Sequence, residues 1–277
     1  MNTGSEPMRV RVSSVGLVGP GLHGWQNSQK YLRQQISPAS WETQALIPAG
    51  ISPRERRRLT ENIKLALVAG QDALLNLTVP LAIEQLSTVF ASADGDLFIA
   101  DKILTALTLP GKPVSPTHFH NSVHNAPAGY WHLASHSMHA STSIAAGASS
   151  FVCGLLEAVS QVYYTGEPCL LVVYDTHPPQ SYKQEIESFD SLAIALVLQA
   201  VNCECASPEC EVLEINAAPG NAIISTLDDP NLELLRRSNP AARGLPLLGL
   251  LADPDQQAIV LKGGLATGVE VRYLDNP

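Results

Sequence analysis

Six histidines lie between residues 118 and 139, so a metal site is the first chemistry to consider. His120 and His124, like His132 and His136, are four residues apart, and each pair would share one face of a helix and could bind zinc. A catalytic metal also needs a carboxylate as ligand or base. Neither aspartate nor glutamate occurs from Lys102 to Leu156. We therefore predict no metal here, and expect neutral imidazoles that pack and form hydrogen bonds at an interface.

Two further patterns are typical of binding sites but fit poorly. Gly19–Gly24 has the G-x-G-x-x-G spacing of a dinucleotide-binding turn. Pro20 has no N–H to offer a phosphate, so we interpret the stretch as a glycine-rich turn. Cys203, Cys205 and Cys210 lack the C-x2-C spacing of zinc sites, so we expect free thiols. The sequence predicts no cofactor.

Small residues dominate the start of a helix predicted over Ala145–Tyr164. The N-terminus of such a helix stabilises an anion or a thiolate, so an enzyme would place its nucleophile there. Ala148 has no nucleophilic group. Its neighbour Ser149 has a hydroxyl, which would need an adjacent base to react.

Apolar strands alternate with helices around these positions, which predicts an α/β fold with a mixed sheet covered by helices. Ser52 and Pro53 begin a helix predicted to continue to Leu77. The predicted strands are Val10–Val18, Leu86–Ser92, Ser141–Ile144, Cys169–Tyr174, Ser191–Val201, Val212–Ile215, Ala258–Leu261 and Val269–Tyr273.

Composition restricts the class of function. The chain has 277 residues, 45% of them hydrophobic, which is enough for a globular core. Only 16% are charged, which favours a buried protein–protein surface. The net charge of −9 argues against nucleic acid and anionic membranes as partners. We find no signal peptide and no apolar run of membrane-spanning length, so we expect a cytoplasmic protein without membrane insertion.

The stretch Asn125–Ala158 resembles the β-ketoacyl synthases of the thiolase superfamily. Asn125-x-x-Ala128-Gly129 is similar to their N-x-x-A-G motif, and residues 141–150 are similar to the strand and T-A-C-S-S elbow that carry their nucleophile. Other segments resemble the short ketosynthase-like subunits of aryl-polyene and related fatty-acid-like synthases. These segments are Pro53–Arg58, Val89–Ser92 with Gly95-Asp96, Ser115–Ser122 and Ala193–Leu198, and the resemblance covers about Val10 to Asn216.

The resemblance implies a thiolase-like α/β fold. It corresponds to the N-terminal half of a ketosynthase, a mixed sheet layered with helices, followed by a truncated or degenerate second half. Residues 1–216 would form the ketosynthase-like N-terminal domain, and residues 217–277 a C-terminal extension packed on it. The family's catalytic cysteine falls on Ala148. Ketosynthases also need two histidines from the second half, and only His177 follows Ala148. We therefore expect no catalytic residue.

The function so implied is that of a non-catalytic, chain-length-factor-like subunit. It would pair as a heterodimer with an active β-ketoacyl synthase in polyene or fatty-acid-type biosynthesis and shape its acyl tunnel. In this family the segment before the nucleophile helix crosses the interface to the partner's tunnel. The residues predicted to line the tunnel end or interface are His118, Asn121, Ser122, Asn125 and Gly129. Acyl carrier protein is acidic, so Arg54–Arg58 is a candidate docking site.

Two alternatives remain open at this point. The chain could be an independent acyl hydrolase or transferase that uses Ser149 or the His118–His139 cluster. It could also be a scaffold that stabilises a synthase without touching the acyl chain.

Overall fold

A computed structural model describes residues 7–202, 211–219, 221–253, 255–263 and 268–274. These residues form one mixed sheet with helices on both faces. Among them, no helix combines the length and the apolar character needed to cross a bilayer. Cys203, Cys205 and Cys210 lie outside the described residues.

Nine strands make up the sheet. They are β1 (Met8–Gly19), β2 (Leu22–His23), β3 (Ser87–Ala91), β4 (Ser141–Ile144), β5 (Cys169–Asp175), β6 (Leu192–Gln199), β7 (Glu211–Ala217), β8 (Ala258–Leu261) and β9 (Val269–Tyr273). Their order is β4-β3-β5-β6-β1-β7-β9-β8, and β2 pairs with β1.

Nine α-helices cover the sheet in the described part of the chain. They are α1 (Trp25–Arg33), α2 (Pro53–Arg56), α3 (Glu61–Leu75), α4 (Leu97–Thr108), α5 (Pro116–Asn121), α6 (Ala126–Ser135), α7 (Ser150–Thr165), α8 (Pro230–Ser238) and α9 (Leu245–Ala252).

Strand direction brings the C-terminal ends of three strands to the same end of the sheet. β3 runs parallel to both β4 and β5, whereas β6 returns antiparallel to β5. The residues that follow β3 and β4, and the last residue of β5, therefore lie at the same end of the sheet. α7 begins near this end because it follows β4 after a short turn.

Each face of the sheet carries its own apolar core. On one face, α3 and α6 bury Leu67 and Trp131 against side chains such as Phe90. On the other face, α7 and α9 bury Phe151 and Leu248 against alternate residues of the same strands. Since β5 and β6 are buried along their whole length, their continuous apolar sequences belong to the centre of a layered structure.

The helix predicted from Pro53 to Leu77 is in fact two helices. α2 ends at Arg56, and α3 starts at Glu61 because the Thr60 hydroxyl accepts a hydrogen bond from the N–H of Ile63. The helix predicted from Ala145 also starts later, at Ser150. A 3₁₀ turn at 147–149 precedes it, in which Gly147 has a left-handed φ of +52°.

The residues after Asn216 continue the same sheet. β7 pairs with β1 on one side and with β9 on the other, and β9 pairs with β8. α9 packs on α1 and β8, so this part of the chain shares a core with the first strands.

Candidate functional site

The start of α7 is open and lacks reactive groups. Ala148 is exposed, and a Cβ added to Gly147 would meet no atom within 4 Å. The fully buried Ser150 fixes the turn, because its hydroxyl donates to the carbonyl of Gly147 and accepts from the N–H of Ala146. Ser150 therefore fixes the backbone of the turn, and its exposed position carries the methyl group of Ala148.

The hydroxyl of Ser149 is not paired with a base. Its Oγ donates to the backbone carbonyl of Gly263 at 3.3 Å. A carbonyl oxygen cannot take a proton from serine, so this contact gives none of the activation that a nucleophilic serine needs. Cys169 is no substitute, because complete burial raises the pKa of its thiol to about 12.

The histidines between 118 and 139 do not converge on one point. His124 bonds to the carbonyl of Ser92 at 3.2 Å, and His132 bonds to the carbonyl of Ser137 at 2.9 Å. His139 instead lies 3.8 Å from a carboxylate oxygen of Glu167. Across the described ranges, no three histidine, cysteine or acidic side chains are grouped as metal ligands would be.

His177 belongs to a separate polar cluster at the end of β5. Its Nδ1 lies 3.1 Å from the hydroxyl of Ser191 and 3.5 Å from a carboxylate oxygen of Glu61. Ser191 is buried, accepts the N–H of His177 and donates to Glu61. The hydroxyl is thus already saturated, and the cluster ties α3 to the loop between β5 and β6.

The five residues predicted at an interface have different environments. Asn121 is buried, donates to the carbonyl of Arg58 at 2.9 Å and accepts from the Tyr130 hydroxyl at 3.2 Å. The Asn121 amide therefore holds the end of α5 against Arg58 and Tyr130. The other four are wholly or partly accessible: His118, Ser122, Asn125 and Gly129.

Four large apolar side chains in the residues before strand β4 are exposed. Phe119 is 70% exposed and Met138 is 97% exposed, and Val123 and Leu133 lie between them in the chain with more than half of their surface exposed. In the described residues β4 pairs only with β3, so its other edge is open. We call β4 and these four side chains the β4 face. Open strand edges and clustered apolar side chains are features of surfaces that bind other chains.

Sequence reasoning missed a buried carboxylate near this face. Asp175 is almost fully buried at the end of β5, and one of its oxygens accepts hydrogen bonds from Ser92 Oγ at 2.9 Å and from the N–H of Ala93 at 2.8 Å. Among the described residues, no group within hydrogen-bond geometry of its other oxygen, Oδ2, is found. Burial raises the pKa of Asp175 to about 7, against the opposing effect of these donors. The signal was available, since a charged residue ends an otherwise apolar strand.

Comparison with known proteins identifies the family. The family model for the β-ketoacyl synthase, N-terminal domain, matches residues 23–232, about three quarters of the chain. The chain belongs to this family. The matched range includes the start of α7 and the whole β4 face. No curated protein sequence matches the chain.

Solved structures confirm the thiolase-like α/β fold of this family member. One is a ketosynthase, ApeO, in complex with its chain length factor, ApeC, from Xenorhabdus doucetiae. It is 21% identical with a TM-score of 0.71, over 95% of this chain and 98% of that chain. Another is the complex of AntDE with the acyl carrier protein AntF. It is 15% identical with a TM-score of 0.72, over 96% of this chain and 99% of that chain.

A third related structure is the ishigamide ketosynthase/chain length factor. It is 14% identical with a TM-score of 0.66, over 97% of this chain and 100% of that chain. At these identities the likeness establishes the fold, while the function of this family member depends on its own residues.

Proposed function

We propose that the chain is a non-catalytic, chain-length-factor-like subunit. It pairs with an active β-ketoacyl synthase in polyene or fatty-acid-type biosynthesis and shapes the acyl tunnel of that partner. The observation that carries the proposal is Ala148, an exposed methyl group at the position where the resemblance to β-ketoacyl synthases places the catalytic cysteine. Only His177 follows it in the sequence, and that histidine is bound to Ser191 and Glu61.

The β4 face supports the choice of a protein partner. A partner strand could pair with the open edge of β4 and satisfy its unpaired backbone groups. The exposed side chains of Phe119 and Met138 would supply apolar area of the kind that obligate interfaces bury. Ser122 and His118 lie on or next to α5, so the proposal places them at the end of the partner's tunnel.

The proposal includes a second, weaker contact with acyl carrier protein. Arg54, Arg57 and Arg58 are exposed at α2, in a chain whose net charge is −9. A local excess of positive charge attracts an acidic domain and speeds its association. The proposal also places the protein in the cytoplasm, as a ketosynthase-like domain of residues 1–216 with residues 217–277 packed on it.

Co-purification is the deciding experiment. The tagged chain is produced with the ketosynthase encoded beside it, and malonyl-dependent elongation is measured with and without the chain. A stable complex whose activity or product length depends on the chain supports the proposal. Separate elution with unchanged products would refute it. Thioester hydrolysis by the isolated chain that is lost in Ser149→Ala would favour an independent acyl hydrolase.

A second variant separates a tunnel role from a scaffold role. Ser122 is exposed, and its hydroxyl bonds only within α5, to the carbonyl of Phe119 at 2.8 Å. Ser122→Phe therefore adds volume outside the core. A tunnel-lining position predicts shorter products from an intact complex, measured by mass spectrometry. A scaffold would leave the products as they are.

A further inference from the structure

We propose that Ser92, held by Asp175, is a buried hub that positions two parts of the β4 face as one unit. These parts are strand β4 and the segment 116–129, which carries Phe119 and Val123. This inference rests on the proposed function, because it explains how the surface offered to a ketosynthase keeps its shape.

Ser92 is fully buried and bonds in three directions. Its N–H donates to the carbonyl of Ile144, the last residue of β4, at 3.1 Å. Its carbonyl accepts from Nε2 of His124, within the segment 116–129, at 3.2 Å. Its hydroxyl donates to Asp175 at 2.9 Å. One residue thus joins both parts of the face to the core.

The turn after Ser92 is fixed by further contacts. The hydroxyl of Ser92 also accepts from the N–H of Gly95 at 3.0 Å, and buried Asn62 donates to the carbonyl of Gly95 at 3.0 Å. Gly95 has a left-handed φ of +66°, and a Cβ there would lie 3.4 Å from the His124 ring. The His124 imidazole therefore packs against the turn at Gly95, which the Ser92 hydroxyl holds in place.

The bond between His124 and Ser92 has a definite direction. A carbonyl oxygen only accepts, so Nε2 must carry the proton and donate it. The segment 116–129 has its second buried anchor at Asn121, which bonds to the carbonyl of Arg58. Ala126 and Ala128 also bury the end of the segment in the core, so these two anchors fix mainly the part before α6.

Hydrogen exchange of the full chain tests the hub. Ser92→Ala removes the hydroxyl and leaves Asp175 and the N–H of Gly95 without that partner. We expect amide exchange to become about tenfold faster in both 116–129 and 141–146, the effect of losing one buried hydrogen bond. His124→Ala removes only the hydrogen bond between the segment 116–129 and the Ser92 carbonyl. It should therefore speed exchange in 116–129 and leave 141–146 unchanged.

Ser28→Ala is the matched control. Ser28 is also fully buried, but its hydroxyl bonds to Gly24 at the start of α1, away from this network. The control should change neither segment. Uniformly faster exchange across the chain in Ser92→Ala, or a change confined to 92–96, would overturn the inference. If Ser92→Ala does not fold, equal effects of His124→Ala on both segments would overturn it.

Binding to the ketosynthase separates this inference from the proposed function. We expect Ser92→Ala to weaken the complex about tenfold and Ser28→Ala to leave it intact. A wild-type chain that binds no ketosynthase refutes the proposed function, while hydrogen exchange still decides whether the hub exists. A complex of unchanged affinity in Ser92→Ala overturns the inference alone.

Discussion

The start of α7 and the segment 116–129 lie near the same end of the sheet, but they differ in the side chains that they expose. At α7 the backbone is well ordered around Ser150, but the exposed position is the methyl group of Ala148. In the segment, two large apolar side chains, Phe119 and Val123, are exposed, whereas hydrogen bonds to buried polar groups hold the backbone. The first region has no nucleophile at its exposed position, whereas the second combines exposed apolar side chains with an anchored backbone. This difference supports the proposal that the chain acts through a surface.

The largest expected effect is on the pH dependence of stability, through the buried carboxylate of Asp175. Asp175 has a pKa of about 7 in the folded chain and an ordinary value of 3.8. The folded state thus binds the proton more tightly, so the free energy of unfolding should fall by up to about 4 kcal/mol as pH rises from 4 to 7.

Asp175→Asn should flatten this dependence and raise stability above pH 7. Urea unfolding at several pH values measures it. A pH profile that is the same in wild type and variant would show that this carboxylate contributes nothing to it.

Phe119→Asp should break the interface while leaving the fold intact. Phe119 is 70% exposed in the free chain, so a charge costs little there, but it would be desolvated under a partner. We expect ketosynthase binding to weaken about 100-fold, or about 2.7 kcal/mol. Leu234→Asp, at a similarly exposed position on α8, is the control and should bind normally. Equal losses in both variants would contradict a specific role for the β4 face.

Gly129→Ala should have opposite effects on the free chain and on the complex. Gly129 lies within α6, and an added Cβ would meet nothing within 4 Å. Alanine favours helix over glycine, so the isolated chain should gain about 0.5–1 kcal/mol in unfolding free energy. If a partner packs against this glycine, the same methyl group will weaken binding. Calorimetry of the chain and titration with the ketosynthase measure the two effects, and tighter binding would place Gly129 outside the interface.

Ala148→Cys should have the smallest effect. The thiol would occupy an exposed turn, but no second-half histidine pair exists in the sequence to complete the reaction. We expect elongation by the complex to remain within about twofold of wild type, because no barrier-lowering group has been added. Malonyl consumption by the isolated variant would show that this chain can supply the missing chemistry.

The sequence predicted those elements whose signals are local. The strands Ser141–Ile144, Ala258–Leu261 and Val269–Tyr273 have the predicted bounds. Ala258–Leu261 is a short apolar run, and Val269–Tyr273 alternates apolar and polar residues. The break at Thr60 was missed, since a single capping bond decides the boundary.

Site residues were predictable only where sequence spacing was sufficient. The spacing around Ala148 aligns it with the family's catalytic cysteine, and this assignment stays a prediction. The role of Asn121 could not be predicted, because it depends on the distant carbonyl of Arg58. The Ser92–Asp175 pair was missed for the same reason: the two residues are 83 positions apart in the chain.

The open edge of β4 also affects how the protein can be handled. A strand with unpaired backbone groups beside exposed phenylalanine and methionine is a template for sheet growth between identical chains. If a ketosynthase covers this edge, as proposed, chain produced without that partner should self-associate through β4. Producing the two chains together should then increase the yield of chain that does not aggregate.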